Sequence, residues 1–464
     1  MAALAIPGVR DLIRPAAGET GSWLLANHKP SEIAITQTRC VAEGSAMMSE
    51  GKFREILSVY DTLFSPNSRW LAYLVDAIPA GRAMHQYYVY ILDTTNSERR
   101  MVLETKAGPG LEAGFAWTGD ETPCLFAPSF PAEVSQPGPS EGPAWDRAVK
   151  AKGQDPRVRP RHGGIAFRQV EGEGEEGRAT VWFLAPGPDA KPQQLSPHGS
   201  TSGGMEWAPD GSRLAFLSPE QAEFGECVWT VAPGSPPQLL STVPAAHIAW
   251  SPTGGAIAVK TQSDELVLLA VPEGRQIQKL ETARDFAWAP DGRAIAYVAT
   301  PDPNAPEGVY YLAMDTGVPR RLLQTKATGG WDFGVPRFSP DGQCVYVGGA
   351  AGEDVTGDGQ SFDRSDRVLY RCDTKASATP VAVRGSAVRP VVSADGSYAL
   401  IVAERVEGSS LWCIDLTSGA ATEWGKVPVQ KYAYELAWSP DGTRVAYESS
   451  LSIDMAWLGP KPTP

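Results

Sequence analysis

Histidine and cysteine are scarce in this chain, with five and six among 464 residues, and neither is clustered. His28, His85, His162, His198 and His247 contain no i, i+4 pair, and Cys40, Cys124, Cys227, Cys344, Cys372 and Cys413 show no CxxC or Cys/His spacing. A zinc site or disulfide framework needs such clustering, so the thiols read as reduced side chains on strands. Long apolar runs are also missing, and a membrane-spanning helix needs about 18 to 20 such residues. Positive charge is in deficit, 41 Lys and Arg against 54 Asp and Glu, a formal net charge of -13. A surface without excess cations is poorly suited to displacing counterions from nucleic acid. The N-terminus has only a short apolar stretch, broken by Pro7 and with no basic segment ahead of it. It does not resemble an export leader, which points to the cytoplasm.

What is abundant is repetition. Trp207-Ala-Pro-Asp-Gly-Ser-Arg-Leu-Ala-Phe216 returns as Trp288-Ala-Pro-Asp-Gly-Arg-Ala-Ile-Ala-Tyr297 and Trp438-Ser-Pro-Asp-Gly-Thr-Arg-Val-Ala-Tyr447. Close variants begin at Trp250 and Phe338, and weaker ones at Phe64, Trp117 and Val392, eight copies in all. Pro fixes φ near -65°, Asp bonds forward to the backbone and Gly takes the positive φ that completes the reversal. The hydrophobic-Ala-aromatic segment that follows reads as a short buried strand, its alanine leaving room for a bulky neighbour. The leading Trp or Phe offers apolar surface for packing between sheets. A third strand usually follows, as at 87–92, 180–184, 228–231, 266–269, 309–312, 368–371 and 411–414, and often a fourth, as at 238–241 and 321–324. Four short antiparallel strands at a spacing of about 40 to 50 residues are the signature of a propeller blade.

These motifs resemble the TolB-like, WD-repeat-related propeller repeat, which also forms the propeller of prolyl oligopeptidase-type enzymes. The resemblance covers roughly residues 55 to 458 and implies an all-β fold. The expectation is a single β-propeller of eight four-stranded blades, or seven if the second or seventh motif is not a full blade. The last repeat is one strand short, and either 32–36 or 54–59 would close the ring by pairing with it. Residues 1–30 form a tail or tether before a propeller over 31–460, with a Pro/Gly-rich charged insertion at about 128–178. A superfold of this kind does not by itself assign an activity.

Function is sought where the regular scaffold is interrupted. In the insertion, Arg147, Lys150, Lys152, Arg157, Arg159 and Arg161, aided by Trp145, would dock on an acidic partner or polyanion, with a solvated, charge-compensated loop as the alternative. Glu353 to Asp366 contains Asp354, Thr356 and Asp358 at alternating positions before Gly359, as in the first half of a calcium loop. Gln360, Asp363 and Asp366 would complete the donors for Ca²⁺, because the twelfth position is Ser365 instead of a bidentate Glu; an acidic turn without metal is the alternative. Prolyl oligopeptidase-like enzymes add a hydrolase domain, and there is no room for one here. Gly138-Pro-Ser-Glu-Gly142 matches a nucleophile elbow only in letters, with no apolar strand before it. No catalytic residue or organic cofactor is assigned. The leading reading is a non-catalytic propeller serving as a protein–protein interaction scaffold or accessory subunit, its partners being proteins. The alternative is a small-ligand-binding or metal-dependent hydrolase or lyase with its site in the channel, where Asp332, Asp354, Asp358 and Asp366 are the first suspects. His247 reads as a loop or strand-edge residue.

Overall fold

The computed structural model describes residues 23–105, 114–118, 122–127, 143–146, 148–171, 178–186, 190–196, 204–219, 225–300, 306–324, 333–375 except 351–366, 378–384, 391–393, 396–403, 408–427, 436–449 and 451–461. Among them the strands form nine sheets, eight of four strands and one of three. The motif turns are built as their residues require. Asp210, Asp291, Asp341 and Asp441 each accept the amide two residues on, at 2.8 to 3.0 Å. Gly211 has φ +71°, and its amide donates back to Ala208 O at 2.8 Å.

Each apolar cluster joins one sheet to the next. Ala215 and Leu217 of one sheet pack on Ile248 and Trp250 of its successor, while Ala249 and Leu268 of that sheet pack on Phe286 and Tyr297 of the following one. The chain of contacts closes, because Tyr73, Val75 and Tyr90 of the first sheet share a cluster with Ala437, Ala446 and Met455 of the last. The sheets are therefore the blades of one ring, a β-propeller, numbered here 1 to 9 from the sheet that begins at Phe53. The repeat alanines Ala215, Ala258, Ala296 and Ala446 are fully buried, as the close approach of neighbouring blades demands. Blade 9 is closed by the N-terminal strand Ile33–Glu43, antiparallel to Ser452–Pro460 with Ile33 opposite Pro460 and Glu43 opposite Ser452. Residues 54–59 belong instead to the inner strand of blade 1, Phe53–Phe64. The pairing of Ile33–Glu43 with Ser452–Pro460 supplies the outermost, fourth strand of the terminal blade.

The ring has nine blades, a correction to the expected eight or seven. Within the stretch read as an insertion, Val149–Lys152 pairs in parallel with Pro123–Ala127 and completes the three-stranded blade 2. Gln154–Val158 and Ile165–Glu171 then supply the first two strands of a separate blade 3, whose third strand, Arg178–Leu184, had read as part of the preceding repeat. The cause is a degenerate motif, Val158-Arg-Pro-Arg-His-Gly-Gly-Ile-Ala-Phe167, in which Val replaces Trp, and Arg161 and His162 replace Asp and Gly. Its register is fixed by contacts that the other repeats share. Trp207 donates its indole N–H to Arg157 O at 3.1 Å, as Trp250 does to Glu206 O at 3.0 Å and Trp288 to Ala249 O at 3.3 Å. In each case the acceptor immediately precedes the motif's first residue in the previous blade.

Two substitutions test this construction. Trp250→Phe keeps the ring but loses the indole bond and should cost about 1 kcal/mol. Gly211→Ala places a Cβ 2.3 Å from Pro160 O at a positive φ, so it should cost more, about 2 kcal/mol or above. Thermal melting of both variants against the parent decides the order.

Candidate functional site

Strand direction divides the ring into two unlike faces. Each inner strand ends in a motif turn, such as 208–213, 251–255 or 289–293, so these short turns share one face. The connections leaving the second and fourth strands join strand ends at the other face. They are mostly longer, as at 219–226, 300–307, 325–336, 351–366 and 428–435. Variation in length and composition therefore collects on one side, called here the loop face.

Four buried titratable groups lie at the same side, while buried Asp93 pairs with Arg69 at the other. Glu226, His247, Glu307 and Glu448 are 5%, 8%, 7% and 2% exposed and sit at or next to strand ends of the loop face. Burying a carboxylate is costly unless it is paired, and the pairing follows a pattern. Glu448 of blade 9 accepts the Thr62 amide and hydroxyl of blade 1, both at 2.9 Å. Glu307 of blade 6 accepts the amide of Phe333, at the entry to blade 7, at 2.9 Å, and the Arg284 Nε–H at 3.0 Å. Arg284 also donates to Phe333 O and pairs with Asp285. On the inner strand of blade 4, half-buried Glu206 accepts the Trp250 amide of blade 5 at 2.8 Å. Each of these three carboxylates thus holds a backbone amide across a blade boundary.

His247 begins the inner strand of blade 5, His247–Trp250, and its ring meets Phe286 edge-on at 6.0 Å. Burial, reinforced by the positive charges of Lys260 and Arg157, lowers its pKa to about 4, so the imidazole is neutral at pH 7. The expectation of a loop or strand-edge residue matches its place at the start of the inner strand.

The structure does not bring the expected basic residues together. Trp145 stands edge-on to Trp70 at 5.1 Å, with the Arg100 guanidinium 5.9 Å from its ring. Exposed Lys150 and half-buried Lys152 lie on the outermost strand of blade 2. Arg157 is in the inner strand of blade 3, donating its Nε–H to Met205 O at 3.3 Å. Arg159 donates to Gly211 O at 2.7 Å and lies over the rings of Phe183 and Trp207. Arg161 is exposed in the turn on the opposite face from the long connections, with φ +61°. Arg147 lies outside the described residues, as do Asp332 and the calcium candidates Asp354, Thr356, Asp358, Gln360, Asp363 and Asp366. Among the described residues no group of three or more His, Cys, Asp or Glu could hold a metal ion. The pairing of Glu206, Glu307 and Glu448 to amides went unread in the sequence. A glutamate beside a motif Trp, as at Glu206, is a visible hint, since the other fully matching repeats have alanine there.

The neutral His247 gives a pH prediction. Its folded pKa lies below its unfolded value, so the stability it confers is present above about 6.5 and is lost as pH falls towards about 4. His247→Gln should flatten this acid limb, by on the order of 2 kcal/mol at pH 5 relative to pH 7. Parallel urea titrations at the two pH values measure it.

No protein-family model matches the chain. An uncharacterized peptidase, YuxL, of Bacillus subtilis (strain 168) is 26% identical over 146 residues, 30% of this chain and 20% of the relative. The chain thus matches about a fifth of that relative's length. Among solved structures, TolB from Acinetobacter baumannii aligns with a TM-score of 0.32 at 16% identity, covering 64% of this chain and 80% of the other. The tricorn protease gives 0.42 at 11% identity over 84% of this chain and 41% of its own. An oligogalacturonate lyase in complex with manganese gives 0.40 at 12% over 67% and 98%. By its own repeats and ring closure, the chain is a β-propeller whose repeat resembles the TolB-like type.

Proposed function

We propose that this propeller is a non-catalytic protein–protein interaction scaffold, or an accessory subunit of a larger assembly, and that the loop face is where its protein partner docks. The observation carrying this reading is the division of labour between the faces. Carboxylates at three blade boundaries are occupied as acceptors for backbone amides, while the connections of one face differ from blade to blade in length and composition. A rigid ring with variable loops on one side suits recognition, because the scaffold bears the cost of ordering the surface before a partner arrives. The acidic 353–366 segment, with Ca²⁺ as its proposed ligand, falls in sequence between two strands of blade 7, and the cytoplasm is the proposed setting.

The test is affinity capture of the full chain from its native cells. Replacing 351–366, or 128–142, with Gly-Ser linkers of equal length should lower recovery of a stoichiometric partner at least about tenfold, a loss of roughly 1.4 kcal/mol or more. Val318→Ser, at a 68% exposed position in a short turn of the other face, should leave recovery unchanged. Deleting 128–178 outright would not discriminate, since it removes strands of blades 2 and 3. Loss on Val318→Ser with retention in both linker variants, or no stoichiometric partner at all, would reject the loop face as the docking site.

A further inference from the structure

We propose that the seam closing the ring, between blades 9 and 1, holds one internal water molecule that accepts a hydrogen bond from each of the hydroxyls of Tyr73 and Tyr90. The inference concerns the ring itself and does not depend on the docking reading.

Tyr73 stands in the second strand of blade 1, Trp70–Pro79, directly opposite Tyr90 in the third, Gln86–Asp93. Their rings stack at 5.5 Å, 10° from parallel, within the apolar cluster shared with Ala446 and Met455 of blade 9. Tyr73 is fully buried and Tyr90 is 4% exposed, and among the described residues neither hydroxyl has a hydrogen-bond partner. Both hydroxyls feel the charges of Arg99 and Glu50, so the two rings present the same end to the same neighbours. Arg99 can only donate. The Glu50 carboxylate is held by Arg99 at 3.0 Å and has Lys52 at 3.9 Å. Burial raises both phenols, Tyr90 to about 12, so each keeps its proton at neutral pH and needs an acceptor.

The ring shows two other answers to the same need. In blade 6, Tyr297 and Tyr310 form the same directly opposed stack at 5.4 Å, but Tyr310 is half-buried and neither hydroxyl is sealed without a partner, so bulk solvent serves there. In blade 7, Tyr346 donates to Leu416 O of blade 8 at 2.8 Å. The Tyr73–Tyr90 pair has neither outlet. Buried polar groups in that position are met by ordered water, which makes two to four hydrogen bonds. The spacing suits one molecule: parallel rings pointing the same way set their oxygens roughly one ring spacing apart, and a water at about 2.7 to 2.8 Å from each spans that gap. Glu50 is at hand as acceptor for one of the water's own protons. A neutral occupant fits better than an anion because Glu50 already neutralises Arg99.

A crystal structure of the full chain that resolves ordered solvent tests this, with a second crystal soaked in sodium bromide. A solvent peak within hydrogen-bond distance of both hydroxyl oxygens is expected, without anomalous signal in bromide and lost in the Tyr73→Phe/Tyr90→Phe variant. Urea unfolding adds a sign. Removing a hydroxyl bonded to water should raise the unfolding equilibrium constant, by about fivefold for each single phenylalanine variant, whereas removing one with no partner would leave it unchanged or lower it. Because the two share one water, the double variant should fall well short of the product of the singles, about 25-fold. Tyr310→Phe should shift the constant less than about twofold. No peak, a peak touching one hydroxyl alone, a bromide signal at the site, or single variants at least as stable as the parent would each overturn the proposal; if the double variant does not fold, the parent crystals decide alone.

Discussion

The structure depends on a contact that no blade can make alone: the motif tryptophan, buried against its neighbour, with its indole N–H bonded to that neighbour's inner strand. Trp117, Trp207, Trp250 and Trp288 all donate backward to a carbonyl one residue ahead of the preceding motif's first position. A large apolar surface is removed from water while its one polar atom is satisfied, so the contact gains hydrophobic free energy without a desolvated donor. The contact also sets the relative height of adjacent blades. Trp438 departs from this pattern, donating its N–H to its own turn at Gly442 O. Blade 9 is then secured on its other side by Glu448 and by Ser68, which meets both Asp441 and Arg444.

Ring closure explains how the polar groups are spent. The amides of Thr62 and Trp250 on inner strands, and of Phe333 at the entry to one, are each met by a carboxylate from an adjoining blade. Burial of those carboxylates is tolerated because the amides satisfy them. Burial also displaces titratable groups, lowering the pKa of His247 so that its imidazole is neutral at pH 7. Cys372 and Cys413 are displaced likewise: their thiols are raised by burial and stay protonated, as reduced residues on strands should.

Much of the fold was legible. Turn chemistry at Asp210, Asp291, Asp341 and Asp441 could be read residue by residue because a reversal of this type admits few alternatives. Closure by residues 32–36 was legible as one of two options, since a repeat short of a strand must find one elsewhere. The ninth blade was not, because Val158 and the Arg161-His162 pair hide the motif while Ile165-Ala-Phe167 preserves it. Position decides there: a valine with the right neighbours supports a carbonyl at the right height as well as tryptophan does. The basic stretch is distributed by the tertiary structure. Arg157, Arg159 and Arg161 are close in sequence, yet a strand and its turn direct them to a blade boundary, an aromatic pair and solvent.

By itself the sequence determined the repeating unit, its all-β character, the tight turns and the absence of zinc-type cysteine spacing, because each follows from local chemistry within about ten residues. Tertiary structure alone decided the number of blades, the separation of a turn face from a loop face, and the capture of backbone amides by Glu206, Glu307 and Glu448. These properties belong to pairs of blades. A side chain's role at such a boundary depends on which carbonyl or amide the neighbouring sheet presents, and that is fixed only when the ring closes.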